Sequence, residues 1–342
     1  MLIAPAWFFL YICRRSTVAA SSSIAIPGST ASDGGPVLAG DTELIYGIKT
    51  VVKYLLGTDI AGRRFAVYPD DTLLVSYPRS GNTWIRFLIA NLMHPDEDVS
   101  FANIERLIPD TSSQSSRALK RAPRPRLIKT HEYFDHRYKR VIYVVRDPRD
   151  VAVSYYHFLL KVRQFDDDCS MERFVEDFIR GRGRLIDEAW GSWGENVASW
   201  IFTRGESEDF LLCRYEDLLE NPVPQLSRIA FFLGLEPSPQ LLQQAVERSS
   251  ADRMRAMEKL QSDVWTVTKD RRKDIPFVRA AKSGAWRQVL PERCALQIEE
   301  AWGELMVKLD YELVGNRGPR PSSTRVGRPE QPLDAANADA AI

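Results

Sequence analysis

Apolar and polar positions along the chain fall into two rhythms. Four short runs, "TLLVSY" (72–77), "RLIKT" (126–130), "RVIYVV" (140–145) and "FLLC" (210–213), are strongly apolar and bounded by turn residues, which predicts strands buried on both faces. Between and after them, apolar residues recur at helical spacing. Asn221 and Pro222 open one such helix, Leu226, Ile229, Ala230 and Leu233 share its face, and Gly234 closes it. From Pro291 a second stripe runs through Ile298, Trp302, Leu305 and Leu309. Strands alternating with helices predict an α/β fold: a single domain with a central, mostly parallel β-sheet flanked by helices on both faces.

The periodic region has ends. "STVAASSSIAIPGSTASDGGP" and the sequence after residue 314 lack apolar periodicity, so a folded domain is expected over 41–314, between a disordered or weakly apolar extension (1–40) and a disordered tail (315–342). The opening apolar run, "MLIAPAWFFLYIC", is shorter than the roughly 20 residues a membrane span needs and has no basic segment before it. Neither membrane attachment nor export is expected; residues 1–13 are where either would arise.

Charge and cysteine content narrow the function classes. Forty-six basic residues balance forty-six acidic ones, so no net field favours nucleic acid, and any anion must be held by a local pocket. The four cysteines, Cys13, Cys169, Cys213 and Cys294, have no paired spacing, which speaks against a zinc site or a disulfide framework, and no metal is expected.

In a parallel sheet, ligands collect beyond the carboxyl ends of the strands. Three strand ends carry chemistry. After the first, "YPRSGNTW" (77–84) supplies a turn glycine, Gly81, hydroxyl and amide donors in Ser80, Asn82 and Thr83, and a cation, Arg79, at a helix start whose N–H groups lack partners. This is either an ordinary helix N-cap or, as the arginine and glycine beside the donors favour, a phosphate cradle, P-loop-like but without the leading glycine and the lysine of the nucleoside triphosphate loop. After the second, Lys129 and His131 stand two apart, the histidine placed to act as a general base. After the third, Arg146 is followed by Asp147 as N-cap, Pro148 and Asp150 in the first turn, and Ser154 about two turns in. Arg146 is either an anion ligand or one partner of a surface ion pair with Asp147 or Asp150.

Taken together and in order, "YPRSGNTW", "KTH", "VVRDPRDVAVSYYHF" and "RYEDLLENP" resemble the nucleotide-dependent sulfotransferases, over roughly residues 45–312. The resemblance implies a donor, 3′-phosphoadenosine-5′-phosphosulfate (PAPS), and a product, adenosine 3′,5′-bisphosphate (PAP). It assigns Arg79, Ser80, Gly81, Asn82 and Thr83 to the 5′-phosphosulfate, Trp84 to the adenine, Arg146 and Ser154 to the 3′-phosphate, and Tyr215 to the length of the nucleotide. Ser249 matches a nucleotide-contacting threonine, while Ala251 stands where an aromatic residue is usual. In "FVRAAKSGAWRQVL", Arg279, Gly284, Trp286 and Arg287 match a late nucleotide-closing element, with Arg279 on the 3′-phosphate; Ala280, Ala281 and Ala285 depart from it.

The implied reaction is in-line sulfuryl transfer to a hydroxyl or amine. His131 takes the acceptor proton, Lys129 holds sulfuryl or leaving oxygens, and Arg79, which stays protonated, stabilises the departing phosphate. The acceptor, a small molecule or carbohydrate, is unspecified: the polar segments 110–126 and 259–276 are either solvated connectors or its walls. A cytoplasmic enzyme of open oligomeric state is expected, with a non-catalytic nucleotide-binding relative or a P-loop kinase as the alternatives.

Overall fold

A computed structural model of the chain describes residues 60–181, 190–279 and 281–315. The extension expected at 1–40, the start of the domain up to residue 59, Ala280 and the tail from residue 316 lie outside the described residues.

The four expected strands form one sheet: β1 (Thr72–Ser76), β2 (Leu127–Thr130), β3 (Arg140–Val145) and β4 (Phe210–Arg214). Their order is β2-β1-β3-β4 and every neighbouring pair is parallel. β1 stops one residue short of the apolar run because the Tyr77 carbonyl accepts from Ser80 N, turning the chain at Pro78. Side chains alternate across the pleat into two cores. Leu73, Val75, Val141, Tyr143 and Val145 enter one, and Leu74, Ile142 and Val144 the other. All eight are fully buried, so each face must be covered; such a side chain contributes about 1.5–3 kcal/mol on burial.

Helices cover both. Those named below are α1 (Asn82–Met93), α2 (Pro148–Lys161), α3 (Met171–Ile179), α4 (Trp193–Arg204), α5 (Tyr215–Glu220), α6 (Pro222–Phe232), α7 (Pro239–Arg248), α8 (Ala251–Gln261) and α9 (Glu292–Lys308). The first core receives apolar residues of α2, α3, α4 and α9; the second receives those of α1, α6, α7 and α8. The expected helix ends have a physical cause in the structure. Asp147 caps α2 by accepting from Arg149 N at 2.9 Å. After α6, Gly234 at φ 74 lets its own N–H reach Phe231 O and that of Leu235 reach Ala230 O, each at 2.9 Å. Asn221 precedes Pro222 as expected but gives no side-chain cap. Trp302 breaks the regularity of α9 with φ −136. Among the described residues, no helix is long and apolar enough to cross a membrane.

Candidate active site

The carboxyl ends of β1, β2 and β3 and the start of α5 open onto one cavity of about 690 Å3. That volume falls in the range of small-molecule and cofactor sites. Arg79, Gly81, Asn82, Thr83, Trp84, Lys129, His131, Arg146, Ser154, Tyr215 and Arg279 all line it. Two of the expected site residues, Ser80 and Ser249, do not.

Between β1 and α1 the backbone is left-handed at Arg79 (φ 69) and at Gly81 (φ 94), the N-cap position of α1. No side chain caps this helix, so its first-turn N–H groups are left for another acceptor. Ser80 is fully buried beneath the turn, its Oγ without a hydrogen-bond partner. Asn82 fastens the turn to the sheet, donating through Nδ2 to Ser76 Oγ at 3.0 Å. Trp84 presents its ring edge-on to Tyr215, centroids 5.6 Å apart, and donates to Ser249 O at 3.0 Å. Ser249 therefore meets the site only through its backbone: its own Oγ accepts from Asn91 Nδ2 at 3.1 Å, behind the wall.

Three arginines share the cavity. Arg79 donates from Nε to Ser154 Oγ and from Nη2 to Phe277 O, both at 3.2 Å, its guanidinium lying 4.7 Å from the Phe158 ring and 4.4 Å from that of Phe277. Arg146 donates to the carbonyls of Arg79 (3.3 Å) and Lys282 (3.2 Å) and lies 4.4 Å over Tyr215. Arg279 donates to Val153 O at 3.3 Å. Among the described residues, the only carboxylate within ion-pair range of the three is Asp150, 4.0 Å from Arg146. Asp147 is taken up by Arg149. Asp150 accepts from Gly284 N at 2.7 Å and Trp286 N at 3.0 Å, pinning the late segment to the start of α2. Burial, then the charges of Arg146 and Arg279, pull the Arg79 guanidinium down to about 9, and burial followed by Arg146 lowers Arg279. A cationic cluster satisfied by carbonyls and a hydroxyl is electrostatically incomplete, and a multiply charged anion would relieve it.

The cavity also holds His131 and Lys129. His131 Nδ1 lies 2.8 Å from Ser76 O, which fixes the proton on Nδ1 and leaves Nε2 as the free base. Its ring meets Trp190 edge-on at 5.5 Å. Burial, and next the charge of Lys129, push it down to about 3, so it is neutral at physiological pH. Lys129 is 5% exposed and donates to Asp110 Oδ2 at 2.8 Å.

Both polar segments contribute walls: Ser112 and Ser113 from the first, and Trp265, Thr266, Val267 and Arg271 from the second. Phe158, Val162, Gln164 and Trp190 also line the cavity. Phe165, half-buried, packs on Phe174 against the first core. In the late segment, Ala281 and Ala285 line the cavity, Ala281 at φ 48; Trp286 is buried between Arg149 and Arg287. Asp110 and Trp190 reach the site through tertiary contacts without a local motif, whereas Asp150 and Phe277 stand inside quoted motifs that assign them no ligand role. Among the described residues, no group of three or more His, Cys, Asp or Glu could hold a metal ion.

Comparison with known proteins assigns the family. A model of the sulfotransferase domain matches residues 69–310. Sulfotransferase 1E1 of Rattus norvegicus is 28% identical over 252 residues, covering 69% of this chain and 83% of the relative. Sulfotransferase 1E1 of Homo sapiens is 28% identical over 296 residues, covering 79% and 96%. Among solved structures, mouse sulfotransferase SULT7A1 complexed with PAP is 25% identical with a TM-score of 0.57, covering 75% of this chain and 91% of that one. Retinol dehydratase in complex with androsterone and the inactive cofactor PAP shares the fold, with a TM-score of 0.59 at 20% identity over 77% of this chain and 88% of that one. With its parallel sheet, its cradle at the end of β1 and this match over most of its length, the chain belongs to the sulfotransferase family.

Proposed function

We propose that the chain transfers a sulfuryl group from PAPS to a hydroxyl or amine of a small-molecule acceptor, with His131 as general base. The observation that carries this reading is the convergence of Arg79, Arg146 and Arg279 on the cavity that also holds His131. A donor with phosphate at both the 3′ and 5′ positions suits two strand-to-helix corners, each with its own arginine. Mouse SULT7A1, solved with PAP, is a relative that binds such a ligand. The reading includes a cytoplasmic location, which rests on the resemblance to its family alone.

The donor supplies an activated sulfuryl group on a phosphate leaving group; the chain's residues do the rest. Arg146, Ser154 and Arg279 hold the 3′-phosphate, with Tyr215 and Trp84 offering ring surface to the nucleoside. Arg79 and the N–H groups of the Gly81 turn stabilise charge developing at the 5′-phosphate. His131, fixed by Ser76 O, accepts the acceptor proton at Nε2. Its basicity in the free protein is low, and a bound anion raises it, since a nearby negative charge favours the imidazolium. Lys129 steadies the sulfuryl oxygens. Phe158, Val162, Trp190 and Val267 give the acceptor end an apolar surface suited to a hydrophobic or aromatic body.

The test is sulfur-labelled transfer from PAPS to a panel of phenols, sterols, sugars and amines, with His131→Ala alongside. Transfer by the wild type that vanishes in the variant, with PAP affinity retained, is expected. PAP binding without transfer to any acceptor would favour the non-catalytic alternative, and ATP binding in preference to PAP would favour a kinase.

A further inference from the structure

Lys129 is a cation in an expensive place. It sits one residue from the end of β2, 5% exposed, and Arg86 of α1, 1% exposed, lies close by. Two buried cations need a counter-charge. Asp110, 4% exposed, provides it: one carboxylate oxygen, Oδ2, is 2.8 Å from Lys129 Nζ and 4.0 Å from Arg86 Nη1, while Oδ1 accepts from Ser112 N at 2.8 Å.

The backbone brings this pair into register. Asp110 and Lys129 form a parallel bridge beside β2, with Lys129 N donating to Pro109 O (2.9 Å) and Thr111 N to Lys129 O (3.0 Å). Thr111 Oγ1 donates to Thr130 Oγ1 at 3.0 Å, a further tie. The other charged groups facing the pair are committed elsewhere or stand on the reacting side. Glu105 serves Arg86, Ser113 Oγ (2.9 Å) and Asp110 N (3.2 Å). His131 lies on the cavity with Lys129 and Asp110. An ammonium has three donors, and Asp110 is the only hydrogen-bond partner of Nζ among the described residues.

We propose that Asp110 is a positioning residue for sulfuryl transfer: it holds Lys129 as an ammonium beside His131, with its remaining donors available to the sulfuryl group. The inference rests on the function proposed above. Asp110 touches no reacting atom in this scheme and acts through Lys129. Burial lowers the pKa of Lys129 and Asp110 opposes it; Asp110 itself, despite burial, is held at about 2 by Lys129 and then Arg86. Without the carboxylate, Arg86 repels an uncompensated Lys129, which loses its proton or its aim.

The test compares Asp110→Asn, Lys129→Met and the double variant Asp110→Asn/Lys129→Met with the wild type. PAP lacks the sulfuryl group, so the ratio of PAPS to PAP affinity, measured without acceptor, reads the Lys129 contact independently of turnover. Asp110→Asn should lower that ratio about tenfold and kcat about a hundredfold, with PAP affinity kept within about threefold. In the Lys129→Met background the same change should add less than about threefold, because the two act as a unit. An unchanged ratio, or losses that multiply in the double variant, would overturn the proposal. Thermal unfolding checks that each variant folds. Should Asp110→Asn not fold, Lys129→Met, which removes the group that Asp110 holds, must lower the ratio; a wild-type ratio there overturns the proposal equally. Failure of the wild type to bind either nucleotide would overturn the nucleotide reading and this inference with it, whereas loss confined to the variants concerns Asp110 alone.

Discussion

The Tyr215 ring lies so close over Gly81 that a β-carbon there would sit 2.3 Å from Tyr215 Cδ2. Arg146 covers that ring at 4.4 Å and Trp84 meets it edge-on, so the ring cannot move aside without disturbing the cavity. Gly81→Ala combines this clash with φ 94, where a side chain is strained. We expect it to destabilise the fold by about 2 kcal/mol or more and to abolish PAP binding. Urea unfolding measures the first. Tyr215→Ala placed on top should recover part of that stability; a Gly81→Ala protein as stable as the wild type would contradict the packing described.

Arg146 and Arg279 approach the cavity through carbonyl contacts, so removing either deletes a proposed phosphate ligand while leaving no buried carboxylate stripped of its only partner. Arg146→Ala should weaken PAP binding by roughly 2 kcal/mol, about thirtyfold, and leave 5′-AMP binding nearly unchanged. Calorimetric titration of both nucleotides decides this. Equal weakening of the two would remove Arg146 from the 3′-phosphate.

The depressed His131 gives a pH signature. Its folded value of about 3 is below the unfolded value near 6.5, so its contribution to stability is complete above about 6.5 and is lost as pH falls toward 3. His157, lowered to about 4 by burial and then Arg279, acts in the same direction. Denaturant midpoints of His131→Asn should depend less on pH between about 6.5 and 4 than those of the wild type. Likewise kcat/KM, which reports the free enzyme, should stay level through pH 6.5 and fall only in more acid solution. An acid limb centred at 6.5 would mean an ordinary, solvated histidine.

Glu258 holds the strap that completes the site. Its Oε1 accepts from Phe277 N at 2.6 Å and its Oε2 from Val278 N at 2.9 Å, while Lys161 bonds Glu258 and the carbonyls of Arg272 and Ile275. The Phe277 carbonyl in turn receives Arg79. Glu258→Ala leaves Lys161 buried without its counter-charge and should cost about 3 kcal/mol of stability. PAP affinity should fall about tenfold through Arg79 and Arg279. Proteolysis of the 272–279 strap, faster in the variant, is the companion measurement; unchanged cleavage and affinity would show that Glu258 anchors nothing.

What could be read from the sequence followed from local rules. Apolar runs located all four strands to within a residue, and Pro148, Asp147 and Gly234 marked helix ends, because these features depend on a few neighbouring residues. The rule that ligands gather past strand ends brought Arg79, Lys129, His131 and Arg146 forward, and the structure sets them around one cavity. What stayed hidden depended on distant contacts. Phe277 caps Arg79 from 198 positions away, and Asp110 reaches Lys129 from within a segment whose polarity suited a solvated connector. Ser249 shows the converse: a position suggested by motif can point its hydroxyl to Asn91 while only its carbonyl serves the site.

The most direct measurement titrates the wild-type chain with PAP, 5′-AMP and 3′-AMP. If the two arginine-bearing corners grip one phosphate each, PAP should bind at micromolar or better and either monophosphate at least about thirtyfold more weakly. A monophosphate that binds as tightly as PAP would show that one corner suffices and that the pairing of Arg79 with Arg146 is not what the cavity is for.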